Sequence, residues 1–185
     1  MSAVRIETAL LIWALAWGVA PAGAEGVPEP AGYKLDDYRS AVPDTLAGAA
    51  VVDTARAKAL WEAGETVLVD VFPRAPKPAN LPEGTLWIDK ARATIPGAVW
   101  LPNTGYGVSP LGMDAYLAAG LEAATGGDTG APVLFFCQIN CWMSWNAAKR
   151  AMTELGYEAV YWYPDGLDGW AFEELPLEKI QPWAP

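Results

Sequence analysis

The two side chains of this sequence that point most directly to chemistry are Cys137 and Cys141, its only cysteines. They lie in the run Cys137-Gln138-Ile139-Asn140-Cys141-Trp142-Met143-Ser144. Just before them, the apolar residues Pro132 to Phe136 predict a short buried strand. Ser144 opens a helical pattern that closes at Gly156. A cysteine placed where a strand turns into a helix faces the unpaired N–H groups and the positive dipole end of that helix. Such a place favours the thiolate, the reactive form of the side chain. The chemistry on offer is thiol chemistry, with Cys137 as nucleophile and Cys141 as its resolving partner, cycling between dithiol and disulfide or carrying a persulfide. At i+4 the two approach each other if the loop curls helically, since a bridge needs Cα atoms within about 7 Å. A structural disulfide and a cycling dithiol both fit that spacing. Closing so small a loop removes little unfolded-state entropy, which tilts the reading towards redox or binding use. The bland alternative for Cys137 is a buried structural cysteine, common because free cysteine buries well.

What is missing narrows the chemistry further. The chain has no histidine. That removes a Ser-His-Asp or Cys-His nucleophile pair, a His-ligated metal, and haem attachment through Cys-x-x-Cys-His. Two cysteines cannot close a zinc site without carboxylates. The net charge of −10 makes a poor partner for nucleic acid or anionic lipid, which reward basic patches. It suits solubility, or the steering of a cationic electron carrier.

The elements that must hold the cysteines can be read from hydrophobic pattern and turn residues. Thr66 to Val71 predicts a buried parallel strand, continuous and β-branched. Ala49 to Val52 predicts an edge strand. Asp53 or Thr54 caps a helix to about Ala63, with Gly64 at its end and Ala57, Leu60 and Trp61 facing inward. Phe72 to Gly84 has no periodicity and reads as a loop. A short strand is expected over Thr85 to Ile88, then a Pro-Gly turn and another strand within Ile95 to Pro102. A helix over Met113 to Ala124 turns Met113, Leu117 and Leu121 to one face. Ala147, Ala148, Ala151, Met152 and Leu155 make the buried stripe of the helix after the cysteines. Ala159 to Tyr163 predicts the next strand, and Pro164 to Trp170 a turn with a short helical cap. Alternating strands and helices predict an α/β fold, a mostly parallel central sheet with helices on both faces.

Around the site, Asp70 is expected as a buried acceptor near the loop. Arg74 and Arg92 read as loop cations, either supplying the cation that the cysteine loop itself lacks or, as the favoured reading, solvated at the surface, and Arg150 reads as exposed. Trp142 and Trp145 are candidates either for core packing or for a ligand platform.

The amino-terminal residues have the layout of a secretory signal peptide. Arg5 precedes an apolar run from Thr8 to Ala20, and Pro21 to Ala24 supplies the small residues of a cleavage site. The run is shorter than the roughly 20 residues of a membrane span. Cleavage is therefore expected after Ala24, with export, no span afterwards, and an oxidising compartment in which the cysteines pair or are kept reduced by a partner. It takes away one base, Arg5, and one acid, Glu7, so the charge is unchanged. The expected organisation is a signal peptide over 1–24, a Pro/Gly-rich surface leader over 25–48, one domain over 49–172 and a C-terminal tail over 173–185.

Three segments in this order resemble the rhodanese-like domain. They are Val67-Leu-Val-Asp70-Val-Phe-Pro-Arg74, Ile95-Pro-Gly-Ala-Val-Trp-Leu-Pro102, and Val133 to Cys137 with its helix, Gly156-Tyr157, Val160 and Asp165-Gly-Leu-Asp-Gly-Trp170. The resemblance implies that Cys137 stands at the family's nucleophile position, with Thr94 where a His is common. The sequence departs from the family between Cys137 and Ser144, where an Arg and glycines usually hold an anionic sulfur donor and this chain has neither. Losing that guanidinium removes a charge-assisted hydrogen bond of about 1.5–3 kcal/mol, which argues against thiosulfate turnover. The Cys-x3-Cys-Trp run, together with the signal peptide, resembles a narrower group. These are exported CXXCW-motif proteins associated with catabolism that depends on pyrroloquinoline quinone (PQQ). That resemblance implies a periplasmic location and a PQQ-dependent dehydrogenase or electron carrier as partner; thiol chemistry itself needs no cofactor. The alternative is a non-enzymatic accessory protein binding a cofactor or dehydrogenase through the Trp-rich loop, with Trp142 as its contact. A thiosulfate-type sulfurtransferase comes third.

Overall fold

The strand that leads into the cysteines is the centre of the molecule. In the computed structural model, which describes residues 26–75, 78, 80–86 and 91–185, Val133–Phe136 forms β5, flanked on both sides by parallel strands. The chain order is β1 (Ala50–Val51), α1 (Thr54–Ala63), β2 (Val67–Asp70), β3 (Arg92–Thr94), β4 (Val99–Trp100), α2 (Met113–Thr125), β5, α3 (Trp142–Thr153), β6 (Val160–Tyr163), α4 (Gly166–Phe172) and β7 (Glu178–Ile180). The main sheet has the order β1-β6-β5-β2-β4 with all pairs parallel, and β3 with β7 makes a separate antiparallel ribbon. The expected α/β architecture is present.

Every side chain of β5 is fully buried, each contributing about 1.5–3 kcal/mol. Alternation sends them to opposite faces. Val133 and Phe135 join Leu117, Leu121, Ala147, Ala148 and Ala151 beneath α2 and α3. Leu134 and Phe136 join Ala57, Leu60 and Trp170 beneath α1 and α4. Both faces of the sheet are therefore covered, which is why the strands read as continuous apolar runs. Helix α1 begins and ends where its caps predict. Asp53 accepts a hydrogen bond from the Arg56 amide at 2.8 Å, and Gly64 closes the last turn at φ 71°.

Four segments differ from the expectation. Helix α3 starts at Trp142, two residues before Ser144, and Cys141 is its N-cap. The earlier start is possible because the Trp142 amide donates to the Tyr38 carbonyl at 3.0 Å, a partner from far away in sequence. The leader is irregular, as expected, but it is not a loose surface segment: Pro43 and Leu46 are buried and its backbone is bound to α3. Residues 178–180, read as tail, form β7 with the register Arg92↔Ile180, Ala93↔Lys179 and Thr94↔Glu178. Glu-Lys-Ile opposite Arg-Ala-Thr has no hydrophobic alternation, so tertiary pairing creates this ribbon and local pattern does not announce it. Thr85 and Leu86 are irregular; residues 87–88 of the strand expected there, like the signal peptide over 1–24, lie outside the described residues. Among the described residues, no helix is long and apolar enough to cross a membrane.

Candidate active site

The sheet's register fixes the site. Asp70 pairs with Phe136, and Phe136 with Tyr163, so β2, β5 and β6 end in one row at their C-terminal edge. In open parallel sheets this edge is where ligands are received. Cys137 is the next residue along the chain. Its carbonyl accepts from the Leu167 amide at 3.1 Å and from Arg92 Nη2 at 3.4 Å. Gln138 makes an antiparallel bridge to Gly166. A side chain at Gly166 would put its Cβ 2.8 Å from the Cys137 carbonyl carbon, and Gly166 has φ +52°, so that approach needs glycine. The Ile139 amide donates to Asp168 Oδ2 at 2.9 Å, and Asn140 turns the chain with φ 53°. Helix α4 thus holds the loop from below while Cys141 starts α3.

The two cysteines are bonded to each other. Cys137 and Cys141 form a disulfide with Cα atoms 6.3 Å apart. Both are buried, with 0 % and 2 % exposure. The bridge fits both readings of that spacing, a structural disulfide and the oxidised form of a cycling dithiol. It also puts Cys141, rather than Cys137, at the helix N-cap, with no side-chain capping hydrogen bond. Cys141 is therefore the cysteine at the positive end of α3.

The cation near the loop comes from outside it. Arg92 is 11 % exposed and forms an ion pair with Asp70, which is fully buried. Its guanidinium lies 3.9 Å from the Phe72 ring centroid. Asp70 also accepts from the Thr94 hydroxyl at 2.7 Å and the Phe72 amide at 2.9 Å. Burial pushes the Asp70 carboxyl above its usual range, against the opposing pull of Arg92, Thr94 and the Phe72 amide. Asp70 is therefore the buried acceptor the sequence suggested. Its task is to hold Arg92 against the Cys137 carbonyl, which corrects the expectation of a solvated Arg92. The ribbon of β3 with β7, invisible in the sequence pattern, is what carries Arg92 and Thr94 there.

The other expected residues are distributed more widely. Met143 and Ser144 are buried in the first turn of α3, and Ser144 Oγ donates to the Cys141 carbonyl at 3.2 Å while accepting from Trp162 Nε1 at 3.1 Å. Trp142 offers no open face. It is 2 % exposed, packs edge-on against Trp145 and donates through Nε1 to Ser40 Oγ and the Ala41 carbonyl, both at 3.1 Å. The platform role for Trp142 is thus replaced by packing under the leader. Arg74 is exposed and its amide donates to Asn103 Oδ1 at 3.2 Å; its charge acts on Tyr116 of α2. Arg150 is not exposed: at 3 % exposure it donates to the carbonyls of Thr104 and Tyr106 at 3.0 and 3.1 Å. Those loop carbonyls, unreadable from a helical wheel, explain the correction.

Four contributors were given no role in the site from the sequence: Arg39, Asn146, and Gly166 and Asp168 of the segment Asp165 to Trp170. Gly166 and Asp168, inside that Gly-rich turn, left a local signal; Arg39 and Asn146 left none. Arg39 of the leader donates to the Gln138 side-chain oxygen, in the amide orientation that satisfies both groups. Among the described residues, no group of three or more His, Cys, Asp or Glu is placed to hold a metal ion.

The sequence model of the rhodanese-like domain matches residues 53–173, well over half of the chain. No curated protein matches it. Solved structures that resemble it include the polysulfide-sulfur transferase homodimer of Wolinella succinogenes, 22% identical, covering 71% of this chain and 80% of that one at a TM-score of 0.45. The thiosulfate sulfurtransferase of Pseudomonas aeruginosa is 16% identical, with 72% and 21% covered and a TM-score of 0.46. The 3-mercaptopyruvate sulfotransferase structure from Escherichia coli is 18% identical, with 66% and 41% covered and a TM-score of 0.38.

Proposed function

The chain belongs to the rhodanese-like domain family, and on that footing we propose that it is a thiol protein whose Cys137–Cys141 pair cycles between disulfide and dithiol. The observation behind the proposal is the bridge itself, which joins the cysteine after the central strand to the N-cap of α3. In the bridged state Cys137 has no thiolate with which to accept a sulfane sulfur. Reduction takes up two electrons and two protons and yields two thiols, of which Cys141 is the better placed to ionise. The missing guanidinium between residues 138 and 144 further weighs against turnover of thiosulfate. An accessory role through an open tryptophan surface has less support, because Trp142 and Trp145 are both buried.

The setting rests on the sequence. The layout of residues 1–24 supports export to the periplasm with cleavage after Ala24. The Cys-x3-Cys-Trp run supports a place in PQQ-dependent, for instance alcohol, catabolism beside a dehydrogenase or electron carrier, and the charge of −10 favours a cationic partner.

The test is an equilibrium one. The mature protein is held in dithiothreitol redox buffers under native conditions, free thiols are trapped with a maleimide, and intact mass is read. Two thiols are expected to appear together, reversibly, with the far-UV circular dichroism unchanged. If no thiol is trapped until denaturant is added, the bridge is structural and the proposal falls. Thiocyanate release from thiosulfate and cyanide is expected to be absent; steady turnover restores the sulfurtransferase reading.

A further inference from the structure

We infer that residues 33–47 form a strap that gates the Cys137–Cys141 bridge, so that exchange with a thiol partner requires this segment to lift. The inference rests on the redox reading above and concerns how that site is controlled.

Thiol–disulfide exchange begins when a thiolate reaches a sulfur of the bridge. Here both cysteines are at most 2 % exposed, so an incoming thiol of a partner protein meets other atoms first. The strap is bound to the residues beside both cysteines. The Tyr38 carbonyl takes the Trp142 amide at 3.0 Å, directly after Cys141. Ser40 Oγ and the Ala41 carbonyl take the Trp142 indole N–H, and the Thr45 carbonyl takes that of Trp145 at 3.1 Å. Arg39 sits on the side chain of Gln138, directly after Cys137. The residues that follow Cys137 and Cys141 are thus both bound by the same segment.

Its attachment is suited to opening. The strap has no regular structure, and between its ends Leu35, Asp36, Asp37 and Arg39 are exposed. Pro43 and Leu46 are buried at one end. At the other, the fully buried amide of Asn146 reads the backbone of Lys34 twice, accepting from its N–H at 3.0 Å and donating to its carbonyl at 2.9 Å. Release therefore breaks loop and side-chain hydrogen bonds and leaves the sheet untouched, which is the character of a local opening. A shallow groove already runs along the strap's edge, with Val42, Pro43 and Asp44 on one wall and Ile139, Asn140 and Pro164 on the other. Opening widens that groove towards the bridge. The thiolate of a dithiol partner then attacks one sulfur, forming a mixed disulfide and expelling the other cysteine as thiolate. The partner's second thiol completes the exchange, so the partner is oxidised to its disulfide and this pair is reduced to two thiols.

The test is a rate, measured by mass-resolved alkylation after mixing the oxidised protein with dithiothreitol under native conditions. Asn146→Ala, which removes both Lys34 bonds and the bond to the Gly105 carbonyl, is expected to speed reduction by about 25-fold through the two strap bonds, at roughly fivefold for each net hydrogen bond lost. Arg39→Ala, a change at an exposed side chain that cannot unfold the core, is expected to speed it about two- to fivefold. Hydrogen exchange at residues 34–42 should rise in parallel. If Arg39→Ala and Asn146→Ala loosen the strap by hydrogen exchange yet reduce at the wild-type rate, the gate is refuted while the redox reading stands. Should Asn146→Ala fail to fold, Arg39→Ala decides alone. Absence of reduction in wild type and folded variants at every dithiothreitol concentration overturns both.

Discussion

Replacing Arg92 with alanine is the sharpest test of how the site is built. The change leaves the Asp70 carboxylate fully buried with only the Thr94 hydroxyl and Phe72 amide as partners. Removing one member of a buried ion pair costs about 3–5 kcal/mol when the other stays charged. Asp70 has an escape, which is to take up a proton. From a usual carboxyl value of 3.8, protonation at pH 7 costs about 4 kcal/mol at 1.36 kcal/mol per unit, so the loss at pH 7 is capped near that figure. The cap falls with pH. In the variant the folded state holds its proton more tightly than the unfolded chain, so stability rises as pH drops towards the unfolded pKa. Arg92→Ala is therefore expected to lose about 3–4 kcal/mol at pH 7 and about 2 kcal/mol less at pH 5.5. Urea unfolding followed by tryptophan fluorescence at the two pH values measures this directly, and Asp70→Asn in the same background should recover most of the pH 7 loss. A deficit that is equal at both pH values, or below about 1 kcal/mol at pH 7, would show that Arg92 packs on Phe72 but does not neutralise a buried charge, and the account of the Asp70–Arg92–Cys137 chain would be wrong.

Other outcomes follow from the same geometry. Gly166→Ala, with φ +52° and a Cβ 2.8 Å from the Cys137 carbonyl carbon, should cost about 3 kcal/mol from overpacking and strain, whereas Gly64→Ala, with φ +71° and open space around it, should cost only about 1 kcal/mol; paired urea melts compare them. Cys137→Ser/Cys141→Ser should remain folded, losing about 2 kcal/mol for a loop this small, with no reversible thiol signal; failure to fold would instead make the bridge a structural necessity. The Tyr163 hydroxyl, hydrogen-bonded to Thr54 at 2.8 Å, is pushed up to about 12 by burial. The folded state keeps this proton where the unfolded chain releases it, so stability should fall between about pH 10 and pH 12, and the Tyr163→Phe variant should fall less across that window.

How much of this was legible in the sequence depends on where each residue's partner lies. β5, α1 and the buried stripe of α3 were readable because hydrophobic pattern and caps are local: Asp53 caps its own helix, and Val133 to Phe136 announce a strand buried on both faces. The closeness of the two cysteines was readable from their spacing, and the strand before them placed Cys137 at its end. The start of α3 was not, because its first amide is satisfied by Tyr38, about a hundred residues away. Arg92 and Arg150 looked like surface cations for the same reason. Arg92 is carried in by a ribbon whose other strand, Glu178–Ile180, has no strand-like alternation, and Arg150 is bound by loop carbonyls that no side-chain pattern encodes. The leader's composition predicted its irregular backbone correctly. It carried no sign of the Lys34–Asn146 clamp, since that bond is made by main-chain atoms that every residue possesses.

The claim at the centre is that the Cys137–Cys141 pair changes redox state in use, and the measurement that meets it most directly is made on the protein in its own cells. Cultures are acid-quenched in active and resting metabolism, thiols are alkylated at once, and the intact mass of the protein is read with and without prior reduction. A mixture is expected, with disulfide and doubly alkylated dithiol shifting in proportion as metabolism changes. A protein that is wholly disulfide in every condition contradicts the account and leaves the bridge as a staple of the fold.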